Sequence, residues 1–353
     1  MVNMSRKPMA HRDAQGDPGG RIGYDPTRGS RWWFFARRRF SVVGAALCAM
    51  MLIWMAMEML LGAILGIVVP RHGQWPGWVS VLLSDIGLYL VAMPVAVLIL
   101  HRVPVLPTRR FALSPKRFVT LLVISVPIVY GGSILGSVLS DVLSAGRAVN
   151  DVAELAGSTD PVIALVFFVL LAPVFEEWLF RKQIIDRTRR YGEKPAIVLS
   201  ALVFGLFHLN LFQFFYAFGL GLILGYIYVR TSRLRYGIVM HMLVNLNGGV
   251  VAPWILSHLD SGTVKDLESG SLSALSAKGS GGLALYGLYG LAMLALVVAG
   301  IVLLVVNRHA WRFYVTPEQL PRGMRVSTVL LNPGMITFVL LCIWIATWMM
   351  LVS

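Results

Sequence analysis

The sequence predicts an all-α fold, a polytopic bundle of eight or nine membrane-spanning helices, from three observations. Hydrophobic residues make up 57% of the 353 residues and charged residues only 14%, with a mean hydropathy of +0.73. That balance excludes a water-soluble enzyme, a disordered regulator and a secreted disulfide scaffold. The apolar residues gather in runs of about 20, the length a helix needs to cross the hydrocarbon core of a bilayer. Lys and Arg are absent from the interior of those runs and concentrate in alternate connections, as the positive-inside rule requires.

Nine spans follow along the chain, at residues 42–70, 78–100, 118–140, 161–180, 196–212, 213–229, 236–257, 283–306 and 335–352. Residues 1–41 are polar, end in Arg37, Arg38 and Arg39, and lack the short apolar core of a signal peptide. They read as a basic cytoplasmic tail ahead of a transmembrane bundle at 42–353. With the N-terminus cytoplasmic, 27 of the 31 Lys and Arg residues fall on the inner side, leaving Arg71, Arg147, Lys265 and Lys278 outside. The net charge of +14 therefore reports topology in a cell membrane and contact with anionic lipid headgroups, and calls for no nucleic acid. The two short spans 196–212 and 213–229 form a tight hairpin turning near Asn210 to Gln213, because both outer flanks, Lys194 and Arg230, are basic. Residues 258–282 make an outside loop that carries no motif. The pairs Gly62 and Gly66, Gly132 and Gly136, and Gly221 and Gly225 have the spacing of close helix contacts. Cys48 and Cys342 lie in separate apolar runs and offer neither a disulfide framework nor a metal-binding pair.

Charged and titratable groups are costly in hydrocarbon, so those that occur within spans mark candidate function. Glu176 and Glu177 close the fourth span in the run Pro173, Val174, Phe175, Glu176, Glu177, Trp178, Leu179, Phe180, Arg181. On a helix the two carboxylates point about 100° apart, and Arg181, at i+4, suits Glu177. Glu176 is then left facing neighbouring spans, where a buried carboxylate can serve as a general base. His208 stands alone on the fifth span, four residues after Phe204, a placement that suits a hydrogen-bonded core histidine as readily as a catalytic one. His241 and Asn245 project from one face of the seventh span at i and i+4. Three helices can thus set a carboxylate, two imidazoles and an amide in one layer beneath the basic surface.

The set Glu176-Glu177-x-x-x-Arg181, Phe204-x-x-x-His208 and His241-x-x-x-Asn245, in this order on successive apolar segments, resembles the CPBP family of CAAX prenyl endopeptidases and bacteriocin-processing and self-immunity proteins. The resemblance covers about residues 118–258, which it marks as the catalytic core. It implies an intramembrane endopeptidase acting on a membrane-associated protein or peptide near the cytoplasmic face. In that scheme Glu176 activates water, His208 positions it, and His241 and Asn245 stabilise the oxyanion, with Glu177 and Arg181 as a supporting pair. No cofactor is then required. Zinc held by Glu176, His208 and His241 is the alternative the resemblance leaves open, although the chain lacks HExxH. The signatures GxGD and GxSG are also absent.

Glu58 and Asp85, in the first and second spans, fall outside these motifs. They supply a second reading, a transporter whose carboxylates line a polar route, and a non-proteolytic membrane scaffold is a third.

Overall fold

The computed structural model describes residues 26–68, 77–147, 149–150, 155, 157–259 and 280–352. Residues 1–25 of the expected tail and 260–279 of the expected outer loop lie outside that set. Helix α1 spans Pro26–Val68, so the basic run Arg37 to Arg39 is helical. It is followed by α2 (Gly77–Leu100), α3 (Pro115–Ser144) and α4 (Pro161–Tyr191), then α5 (Glu193–Phe207) and α6 (Leu211–Thr231). Next come α7 (Leu234–Leu256), α8 (Ser280–Val306) and a pair, α9 (Arg322–Val329) and α10 (Pro333–Val352). The described residues contain no strand. Among the described residues seven helices are long and apolar enough to cross a membrane, or eight counting the α9–α10 pair, which bends by 62°. The chain is a multi-pass membrane protein.

Proline explains much of the irregularity. Helix α4 widens to a π-type turn over Glu177–Ile185 with no proline behind it; the other π-type turns, over Ile86–Ala92, Leu165–Leu171 and Asn247–Val251, lie just ahead of Pro94, Pro173 and Pro253. A proline has no N–H to give the preceding turn, which relaxes to a looser register. At the α9–α10 bend, Asn332 accepts from Met335 N–H at 3.0 Å, capping α10 beside Pro333.

Small residues set the packing. At Gly132 and Gly136 the space of a missing Cβ is taken by the backbone of residues 211–216, and at Gly221 and Gly225 by Ala201 and Ile197, so both pairs are close helix contacts. Gly62 and Gly66 are not; among the described residues nothing on another helix lies within 4 Å of where either Cβ would stand, and both face outward. Large apolar side chains such as Leu98, Ile134, Leu288 and Trp344 are exposed on the rim, as lipid-facing positions should be.

The expected hairpin is present, with its turn two residues earlier than its predicted centre. Helix α5 ends at Phe207, Leu209 takes a left-handed conformation (φ 57°), and the Asn210 side chain accepts from Gln213 N–H at 2.8 Å to start α6. At fifteen residues, α5 rises only about 22 Å, so it falls short of a full crossing.

The fourth span departs further from expectation. It continues past residue 180 to Tyr191, through Arg181, Arg187 and Arg189, all buried. Arg187 donates to Leu100 O at 2.9 Å and to Gln183 Oε1 at 2.7 Å. Arg189 donates to Val229 O and Ser232 Oγ, each at 3.0 Å, and Tyr228 OH to Asp186 Oδ2 at 3.0 Å. Hydropathy reads these charges as a loop, whereas neighbouring helix ends satisfy them inside the protein.

Candidate active site

The site forms where α4, α5 and α7 meet. Gly237, one turn before His241, leaves room for the Glu177 carboxylate against α7; a Cβ there would lie 2.7 Å from Glu177 Oε2. Glu177 Oε1 lies 3.1 Å from Arg181 Nη2, with both side chains almost wholly buried, so the expected pair is formed. Arg181 also donates to Ser200 Oγ at 3.4 Å, and Ser200 in turn donates to Phe180 O at 2.8 Å. The guanidinium lies over the Phe204 ring, 4.6 Å from its centroid, a contact that holds the charge flat against α5.

His241 sits between the two carboxylates. Its Nε2 is 3.7 Å from Glu176 Oε2 and its Nδ1 is 3.3 Å from Glu177 Oε1. Glu176 and His241 are both buried. His241 lies seven residues from the start of α7 at Leu234, which places the site about 10 Å in from the basic end of that helix. Phe204 separates the two imidazoles, with edge-on contacts to His208 at 4.9 Å and to His241 at 5.6 Å. His208 caps α5, its Nδ1 2.8 Å from Phe204 O. A carbonyl can only accept, so Nδ1 carries the proton and Nε2 of the neutral ring is an acceptor.

Asn245 has a different local duty. Its Nδ2 donates to Phe168 O at 2.9 Å. In the widened turn Ala172 N–H bonds to Phe167 O, so the next donor in that register, for Phe168 O, would be Pro173, which has no N–H. Asn245 replaces it, and one amide hydrogen stays available for other work.

The sequence pattern names Glu176, Glu177, Arg181, Phe204, His208 and His241, and all six gather here. It misses Gly237 and Ser200, whose only sequence signal is small size. Among the described residues no three His, Cys, Asp or Glu side chains come close enough together to hold a metal ion, so Glu176, His208 and His241 do not form a three-ligand set. Glu58 is exposed on α1, while Asp85 on α2 has a buried oxygen.

A cavity lies toward the end of the bundle opposite the basic helix ends. It encloses about 620 Å³ at the α5–α6 turn, with His208, Asn210 and Gln213 on one side and Leu143, Ile343 and Met349 among its walls. The shortness of α5 creates it, because the hairpin stops before the neighbouring helices do.

Residues 158–247 match the family model described as Type II CAAX prenyl endopeptidase Rce1-like. Over this segment the chain is similar to the CPBP family. The matched segment contains all three motifs. A curated relative, the membrane-embedded CAAX protease MroQ of Staphylococcus aureus (strain USA300), is 30% identical over 144 residues, which cover 37% of this chain and 58% of that protein. The chain therefore spans less than two thirds of the relative's length. No solved structure matches it.

Proposed function

We propose that the protein is an intramembrane endopeptidase that hydrolyses peptide bonds of membrane-associated proteins or peptides near the cytoplasmic face. The observation that carries this reading is the buried contact of Glu176 with His241 at 3.7 Å, beside an ion pair that has no surface role. Glu176 takes a proton from water as the water oxygen bonds to the scissile carbonyl carbon. His208, through its free Nε2, accepts a hydrogen bond that orients the water. His241 and the remaining amide hydrogen of Asn245 donate to the oxyanion. When the C–N bond breaks, the proton on Glu176 passes to the leaving amine. Glu177, Arg181 and Phe204 hold His241 and α5 in place. The cavity beside His208 offers room for apolar substrate side chains.

The mechanism needs no cofactor. In the zinc-dependent version the metal would activate the water instead, and one zinc per purified chain, found by elemental analysis, would displace the metal-free scheme. The cell membrane is the proposed location, with the N-terminus cytoplasmic and the basic ends of the helices against anionic headgroups.

The test compares peptide termini in membrane fractions, by mass spectrometry, from cells expressing the wild type or Glu176→Ala at matched levels. Termini that arise only with the wild type are expected and would name the substrate. Identical termini across several substrate backgrounds would instead favour a scaffold or transporter.

A further inference from the structure

Helix α2, outside the matched segment, brings two side chains to the edge of the site that the mechanism above does not use. Asp85 and Tyr89 lie one turn apart on one helix face. The Tyr89 ring lies flat on Phe175, the residue before Glu176, with centroids 4.4 Å apart and planes 7° from parallel. On the other side of Asp85, Ser84 Oγ accepts from Trp54 Nε1 at 3.0 Å, and Trp54 stacks on Phe207, the neighbour of His208, at 5.4 Å. Two anchors, one beside Glu176 and one beside His208, thus fix the turn of α2 that carries Asp85. Asp85 Oδ2 is buried and has no hydrogen-bond partner. Glu176 is the charged group that acts on Asp85 electrostatically, and Tyr89 senses both carboxylates. The other groups acting on Glu176 are His241, Glu177 and Arg181.

An ionised carboxylate buried without a partner is costly. Two carboxylates within reach of each other in a low dielectric hold one proton between them. Glu176 has His241 at 3.7 Å, whereas the buried Asp85 Oδ2 has no partner among the described residues, so the shared proton is placed on Asp85. We propose that Asp85 is a positioning residue, a carboxylic acid that donates a hydrogen bond toward Glu176 through the attacking water, and keeps that carboxylate ionised and turned to its task. This inference rests on the endopeptidase reading. The proton on Asp85 is not consumed: the one that water loses goes to Glu176 and leaves with the amine.

The test uses the full-length protein in lipid vesicles and a peptide spanning a cleavage site found by the termini comparison. Asp85→Leu keeps the volume and removes the donor. It is expected to fold with an unchanged melting temperature and to lower kcat about 100-fold, the scale of a misplaced catalytic group, with KM within about twofold. Asp85→Asn, which keeps a neutral donor of the same shape, is expected to restore kcat to within about tenfold of wild type. Wild-type kcat in Asp85→Leu, equal losses in the Leu and Asn variants, or a change confined to KM would each overturn the proposal. Should the Leu variant not fold, Asp85→Ala against Asp85→Asn reads the same contrast. Cleavage lost in Glu176→Ala but intact in Asp85→Leu overturns this inference alone, whereas a wild-type chain that cleaves nothing overturns the endopeptidase reading with it.

Discussion

The inner helices α4 to α7 and the outer helices α1, α8 and α10 solve burial in opposite ways. The outer helices turn apolar side chains to the rim and meet their neighbours through small residues: Gly44 lies against the backbone of Gly334, and Gly300 against Val123 and Pro127. The inner helices bury Glu176, Glu177, Arg181, Asp186, Arg187, Arg189, Glu193 and His241, each answered by another group of the protein. Arg230, for example, pairs with Glu193 while its guanidinium lies over the Tyr314 ring. Lipid cannot satisfy such groups, so helices that carry them must be enclosed, and the outer ring provides that enclosure.

The largest effect expected is at the centre of the charged region. Glu176→Gln should lower kcat by about 100-fold or more, the scale of general-base catalysis, with the amount of folded protein unchanged in detergent-extracted membranes. Retention of activity would remove the proposed base. Next comes the buried ion pair. Removing one partner, in Glu177→Leu or Arg181→Leu, strands a charge and should destabilise by about 3–5 kcal/mol. The double variant should recover much of that loss, because apolar residues can replace a buried pair at little cost; thermal melts of the three variants, taken together, measure the coupling. Asn245→Ala leaves Phe168 O without a donor and should cost about 1–3 kcal/mol. Such a loss would fix Asn245 as a tie between α4 and α7, and single-turnover kinetics on the folded variant would then report its share of catalysis. The smallest effects sharpen the contrast at the periphery. Gly62→Ala, where a Cβ meets nothing, should change stability by no more than about 0.5 kcal/mol, whereas Gly136→Ala drives a Cβ into the backbone of α6 and should cost about 1–3 kcal/mol by overpacking.

The same division decides what the sequence makes legible. Hydropathy finds the outer helices because lipid is their solvent, and each of the nine expected spans overlaps a helix, although α5 is too short to cross. It stops at residue 180 in α4 because a buried arginine and a loop arginine look alike in composition. Spacing finds Glu177 with Arg181 because i and i+4 meet on any helix. The approach of Glu176 to His241 depends on how two helices pack, and periodicity within one helix carries no such information; the motif resemblance supplied it. Gly237, Ser200, Tyr89 and the Asn245 bond to Phe168 become apparent only when helices distant in sequence lie together.

That last bond has a bearing on how the protein is made. Phe168 and Asn245 are 77 residues apart, and α4 enters the membrane before α7 has been synthesised. Until then Phe168 presents to the bilayer a carbonyl that its own helix cannot cap, at a cost of several kcal/mol. Biogenesis thus acquires a direction: the fourth helix is delivered incomplete and waits, shielded by water, by earlier helices or by the insertion machinery, for a side chain still to be translated.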